Sequence, residues 1–116
     1  LSIINTHLQV GAKIILNKSS IIEKNFWNKL VFNKVNNFGG VPYIYEILLK
    51  IGLKKDFFKL LKYTTVAGGY LSNSEKLSII DFYDKLGISL ITMYGAAEAT
   101  SRMSFLPSEY SRKKKW

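Results

Sequence analysis

Tyr63-Thr64-Thr65-Val66-Ala67-Gly68-Gly69-Tyr70-Leu71-Ser72-Asn73-Ser74-Glu75 is the stretch that decides the fold class. Its first five residues are aromatic and β-branched, the side chains that suit a pleated surface, so they read as a strand. Two glycines break it. Ser72 and Glu75 then stand three residues apart, the spacing of a capping box, in which each side chain satisfies the other's free backbone N–H. Leu77, Ile80, Tyr83 and Leu86 continue at helical spacing up to Gly87. Ser89-Leu90-Ile91-Thr92-Met93 is a second strand and runs into Tyr94-Gly95. Strand, glycine turn, helix and strand in this order predict a parallel βαβ unit with a right-handed crossover.

Working outward, the same alternation extends to both ends. Leu1 to Val10 reads as the end of a helix closed by Gly11, and Ala12-Lys13-Ile14-Ile15-Leu16 as a short buried strand. Ser20 and Glu23 have capping-box spacing, and Ile22, Phe26, Trp27, Leu30 and Val31 form one apolar helical face. Asn36 to Gly40 reads as a break. Pro42 fits the first position of the next helix, where its missing N–H costs nothing. Ile44, Ile47, Leu48 and Ile51 share a face there, Glu46 and Lys50 pair at four-residue spacing, and Gly52 closes the helix. Leu53 to Lys62 contributes a short helical turn, and Met103 to Leu106 a last strand ended by Pro107. The strands read as continuous apolar runs, which predicts helices on both faces. One α/β unit over residues 1–116 is the simplest partition.

Composition narrows the function. The 116 residues are 47% hydrophobic and 22% charged, values of a globular chain. The formal net charge is +9, yet Lys is scattered along the whole sequence and no stretch interleaves basic residues with aromatics. The one compact basic run, Arg112-Lys113-Lys114-Lys115, falls in a stretch, 111–116, expected to be a loose tail. A small basic α/β module binding nucleic acid is the alternative reading. There is no cysteine, which excludes disulfides and thiolate sites and is compatible with a reducing, cytoplasmic setting. The single histidine, His7, cannot build a histidine-rich metal site and reads as an ordinary helix residue. No apolar run approaches the ~20 residues of a membrane helix.

In an open parallel sheet, ligands bind beyond the carboxyl ends of the strands. Two segments lie at such ends, Ala67-Gly68-Gly69-Tyr70-Leu71 and Tyr94-Gly95-Ala96-Ala97-Glu98, and both are expected on one edge. Glycine lets a flat ligand approach the backbone. Tyr70 and Tyr94 are placed to flank a base, and Glu98 offers a hard oxygen suited to phosphate-borne Mg²⁺. The plainer alternatives are tight turns for the glycines and a helix-dipole partner for Glu98. No Gly-x-x-x-x-Gly-Lys-Ser/Thr loop and no Gly-x-Gly-x-x-Gly occurs.

These residues resemble motifs of the adenylate-forming superfamily, which includes acyl-CoA synthetases, luciferases and peptide-synthetase adenylation domains. Tyr94-Gly95-Ala96-Ala97-Glu98 is similar to its Tyr-Gly-x-Thr-Glu motif, and Ala67-Gly68-Gly69-Tyr70-Leu71-Ser72 to its Gly-Gly-x-x-Leu segment. Gly40-Val41-Pro42-Tyr43-Ile44-Tyr45 is similar to a Val-Pro-x-x-Tyr helix start, and the stretch from Glu98 to Pro107 to one branch of these ligases. The resemblance covers nearly the whole chain, fading after Tyr110. It implies part of the layered large domain of an AMP-forming ligase. It also implies a reaction: ATP activates a carboxylate as an acyl-adenylate, and a thiol such as coenzyme A or a carrier-protein arm accepts the acyl group. On this likeness Gly68, Gly69, Tyr70 and Leu71 lie along the adenine and acyl pocket. Met93, Tyr94, Gly95, Ala96 and Ala97 line the nucleotide. Glu98 is the catalytic metal ligand, holding Mg²⁺ between the phosphates. Ala97 departs from the motif, whose threonine hydroxyl contacts phosphate. The phosphate loop, the ribose-gripping aspartate and the small carboxyl-terminal domain are not in the sequence. The expectation is therefore a piece of a parent enzyme, inactive alone, whose remainder is a partner.

Overall fold

The computed structural model describes residues 2–113, which form a four-stranded sheet with helices packed mainly on one face. In chain order the elements are α1 (Ser2–Gln9), α2 (Lys24–Phe32), β1 (Asn37–Gly40), α3 (Pro42–Ile51), α4 (Lys55–Phe58), β2 (Tyr63–Val66), α5 (Asn73–Asp84), β3 (Ser89–Ala96) and β4 (Thr100–Leu106). A 3₁₀ turn follows at Ser108–Tyr110.

Strand order is β1-β2-β3-β4. The first three strands are parallel, with Asn37 opposite Tyr63 and Tyr63 opposite Ser89. Both crossovers step the same way across the sheet, so right-handedness puts α3 and α5 on one face, where they touch. The α/β class and the βαβ units are as the sequence implies. β4, however, is antiparallel to β3, because only a short turn joins them and a parallel return needs a crossover of a dozen residues or more.

Burial alternates along the strands. Thr64, Val66, Leu90 and Thr92 are buried beneath the helices, and Thr65, Ile91 and Met93 on the other face are only half covered. The expectation of helices on both faces is met in part: α3 and α5 cover one face, and α1 reaches the other only at its β1 edge. On the far face α1 brings Ile3 near Gly39, where a Cβ would lie 3.9 Å from its Cδ1 and 2.5 Å from Thr65 Oγ1.

Further readings change. Asn37–Gly40 is the edge strand β1 and not a break, since its pairing with β2 outweighs the poor strand propensity of Asn and Gly. Ala12–Leu16 is not a strand: no strand pairs with it, and Leu16 is 78% exposed. α2 begins at Lys24, because Ser20 and Glu23 close a separate turn, with Ser20 N–H donating to Glu23 Oε1 at 2.9 Å. At α5 the box is complete, with Ser72 Oγ accepting from Glu75 N–H and Glu75 Oε2 accepting from Ser72 N–H. Glu46 and Lys50 are not among the ion pairs that the described residues form. In the 111–116 stretch Ser111 is buried, and Arg112 and Lys113 are exposed, with Arg112 bridging Asp81 and Asp84 at 2.8 and 2.6 Å. Lys114 to Trp116 lie outside the described residues.

The core lies between the sheet and α2, α3, α4 and α5. Trp27 is its hub, with ring centroids 5.0 Å from Phe58, 5.6 Å from Phe57 and 6.2 Å from Phe38. Its indole N–H donates to Ile21 O at 2.8 Å. Two buried tyrosines fasten β2 from below. Tyr45 O–H donates to Thr65 O at 2.8 Å, and Thr64 Oγ1 donates to Tyr83 Oη at 3.1 Å. Burial raises both phenols, Tyr83 to about 12 from 10.0.

Two predictions follow from this packing. Below pH 10 the folded and unfolded states both keep the Tyr83 proton. Between 10 and about 12 only the unfolded chain releases it, so stability falls by up to about 1.4 kcal/mol per pH unit. Tyr83→Phe removes that share of the alkaline slope and costs about 1–3 kcal/mol at neutral pH, by stranding the buried Thr64 hydroxyl. Urea titrations of both proteins from pH 7 to 12 measure each effect. At Gly95 a Cβ would stand 2.1 Å from Ser101 O, so Gly95→Ala must push β3 and β4 apart. It is expected to lower the unfolding free energy by about 1–3 kcal/mol or more; an unchanged urea midpoint would show that the strands do not cross this closely.

Candidate functional site

Three strand ends meet at one edge of the sheet. β1 leaves through Val41 and Pro42, β2 through Ala67 to Leu71, and β3 reaches Ala96 before turning. Ala67 N–H donates to Gly40 O at 3.2 Å, which ties the first two exits together. The glycines let them stack. Gly68 has φ +79, a conformation costly for any residue with a Cβ. A Cβ on Gly69 would lie 3.3 Å from the Pro42 ring. The turn is therefore shaped by close approach to Val41 and Pro42, residues whose role the glycine motif alone did not reveal.

The pairing of Val66 with Thr92 sets Ala67 beside Met93. β3 then runs four residues beyond its last partner on β2, paired only with β4. Met93-Tyr94-Gly95-Ala96 thus forms a ledge beyond the glycine turn, on the same edge, as the sequence reading expects. A register shift between Tyr94 and Ala96 bends this ledge, as bulges do. Gly95 sits in the bend because Ser101 O crosses it, a reason internal to the hairpin.

The side chains divide. Tyr70 and Tyr94 are 66% and 54% exposed, so both rings are open to a ligand. Leu71 is fully buried, and its side chain belongs to the core. It anchors the turn from within, and Ser72 caps α5 immediately after it. Ala96 O accepts from Ala99 N–H at 3.2 Å, closing a turn with Ala97 and Glu98 at its exposed tip. No helix starts there, so Glu98 is not a helix-dipole partner. Among the described residues no group of three or more His, Asp or Glu side chains gathers for a metal ion. His7 lies elsewhere, its Nδ1 2.7 Å from Ile3 O within α1.

Lys76, one turn into α5, is buried, and burial lowers its ammonium pKa. The periodicity that picked Leu77 missed it: the buried face of α5 is Lys76, Ile79, Ile80 and Tyr83, and Leu77 is exposed. A cavity of about 550 Å³ lies between α1, residues 12–17, α2 and β1, away from the glycine edge. The glycine edge itself is an open shelf. Among the described residues no helix is long and apolar enough to cross a membrane.

No protein-family model matches the chain, and no curated protein does. Solved structures do match. The O-succinylbenzoate coenzyme A synthetase MenE of Bacillus subtilis, in complex with AMP, superimposes with a TM-score of 0.75 at 16% identity, covering 97% of this chain and 22% of that one. The same synthetase in complex with ATP and a magnesium ion gives 0.72. The N-terminal domain of FACL13 from Mycobacterium tuberculosis gives 0.57 at 20% identity over 77% of this chain and 22% of its own. VinN gives 0.57 at 20% identity over 75% and 22%. The chain thus spans about a fifth of the length of the structures it matches. It has the α/β fold of a segment of these structures, two of which are of the same coenzyme A synthetase.

Proposed function

We propose that the chain is part of the large domain of an AMP-forming ligase that activates a carboxylate with ATP and passes the acyl group to a thiol such as coenzyme A or a carrier-protein arm. The observation that carries this reading is the convergence of the Gly68-Gly69-Tyr70 turn and the Met93–Glu98 ledge on one sheet edge. The likeness of fold to a synthetase bound to AMP supports it.

The residues suit a nucleotide better than a bare metal. Two exposed tyrosine rings offer flat apolar faces to adenine, and the glycine turn leaves its backbone open to close approach. Glu98 provides one hard oxygen at the tip of the turn beyond the ledge, and no group of three or more His, Asp or Glu ligands forms among the described residues. Magnesium would therefore be held here jointly with the phosphates, as is usual for this ion. It would supply charge neutralisation as the carboxylate oxygen attacks the α-phosphorus and pyrophosphate leaves. Ala97 brings no hydroxyl to that phosphate. The phosphate loop and the acid-binding walls belong to the remainder of the parent enzyme.

Titration of the ¹⁵N-labelled chain with AMP tests the reading. Shifts are expected to concentrate at residues 68–70 and 93–98, with weak affinity. Shifts at the basic end instead, falling steeply with salt, would favour nucleic-acid binding and end the nucleotide reading. The chain alone is expected to give no ATP–pyrophosphate exchange. Ala97→Thr restores one hydrogen bond to charged phosphate, worth about 1.5–3 kcal/mol, and should tighten ATP binding roughly tenfold or more. Unchanged affinity would remove Ala97 from the phosphate contact.

A further inference from the structure

Lysines that are dispersed along the sequence are gathered by the topology. β1, β2 and β3 start in register at Asn37, Tyr63 and Ser89, so the segments leading into them share the amino edge of the sheet, opposite the glycine turn. Those segments are 33–36, 50–62 and 85–88. Lys34 and Lys85 stand in the outer two. Lys50, Lys54, Lys55, Lys59 and Lys62 crowd into the middle one, which joins the end of α3 through α4 to β2. All seven are exposed. They face a single acid within these segments, Asp56, which pairs with Lys59 at 2.7 Å. The segments of the glycine edge, 67–75 and 96–100, hold Glu75 and Glu98 and no basic residue. The two edges are therefore of opposite sign.

Apolar side chains stand among the lysines. Phe32, at the end of α2 and two residues before Lys34, is 87% exposed, and Ile51 and Leu60 are exposed next to Lys50 and Lys59. We propose that this amino edge docks the chain on an anionic lipid bilayer, with the lysines at the headgroups and Phe32 and Leu60 entering the interface. Lysine clusters of this size are drawn to anionic leaflets, and apolar side chains amid them add insertion. A nucleic acid fits the edge less well. Phe57 and Phe58, the aromatic residues within the basic run, pack on Trp27 with ring centroids at 5.6 and 5.0 Å and are not presented to a base. The three segments contain no arginine for bidentate phosphate contact, and a phosphate backbone gives Phe32 no burial. Docking in this way turns the glycine edge toward water. The inference stands apart from the ligase reading and leaves the proposed nucleotide site open.

Co-sedimentation of the 116-residue chain with vesicles tests this. Vesicles of phosphatidylcholine and phosphatidylglycerol in equal parts are expected to bind it, and vesicles of phosphatidylcholine alone are not, with binding that falls as salt is added. The triple variant Lys54→Gln, Lys55→Gln, Lys62→Gln is expected to lose about fivefold per lysine, roughly 100-fold in all. Phe32→Ser should weaken binding ~10-fold and leave its salt dependence unchanged. Lys54→Gln alone and Arg102→Gln on β4 each remove one charge, and only the first should matter. No binding to the anionic vesicles, full binding by the triple variant or by Phe32→Ser, or equal losses from Lys54→Gln and Arg102→Gln would overturn the proposal. So would an oligonucleotide that binds more tightly than the vesicles, with affinity lost in the triple variant and kept in Phe32→Ser; that pattern assigns the edge to nucleic acid. The AMP titration reads the opposite edge, so either reading can fail without the other.

Discussion

The parallel pairing of β2 with β3 is the constraint on which the rest depends. Tyr63 opposite Ser89 and Val66 opposite Thr92 fix the register. A slip of one residue would turn Thr64, Val66, Leu90 and Thr92 out of the core and carry the glycine turn away from the ledge. Helices enforce the register from below. Tyr45 on α3 bonds the carbonyl of Thr65, and Tyr83 on α5 takes the hydroxyl of Thr64. Each crossover helix thus grips β2 within two residues of its exit. The shape of the exposed turn is set in the most buried part of the molecule.

The turn itself is a compromise between packing and access. Leu71 is drawn fully into the core and Ser72 caps the following helix, so the chain has almost no freedom beyond Tyr70. At the other end, Gly68 and Gly69 lie against Val41 and Pro42. Tyr70 is the one side chain of the turn that faces solvent, beside the exposed backbone of the two glycines. The ledge is built on the same plan, with Gly95 pressed against Ser101 and Tyr94 open. Glycines that a motif reading assigns to a ligand are needed here by the polypeptide first. Any access they give to a nucleotide follows from that close packing.

Local signals with a self-contained mechanism were legible in the sequence. The Ser72–Glu75 box, proline at the start of α3 and the positive-φ glycines at 52 and 87 each carry their own physical reason, and each stands where it was read. What needed a partner was not legible. Asn37–Gly40 has poor strand propensity and becomes a strand because β2 offers it a ladder; Ala12–Leu16 has good propensity and remains irregular because nothing does. Burial of Lys76 in place of Leu77 depends on the angle at which α5 lies on the sheet, which periodicity leaves free by a residue. For the site, the sharing of one edge was readable from strand direction, and the hairpin geometry of Gly95 and Glu98 was not.

The distribution of apolar surface explains why one half of the molecule is finished and the other open. The accessible area is 7777 Å², against roughly 6,400 Å² for a compact monomer of this mass. The excess is not evenly spread. Leu16 is 78% and Phe105 68% exposed, the first in the irregular 12–16 stretch and the second on β4 beside Met93, on the half-covered face of the sheet. The helix-covered face holds Tyr45, Phe58, Leu71, Ile79 and Tyr83 with almost no exposure. The glycine edge is fastened to that finished face through β2. Its geometry is therefore set by residues within this chain, and the far face, half covered, takes no part in shaping it.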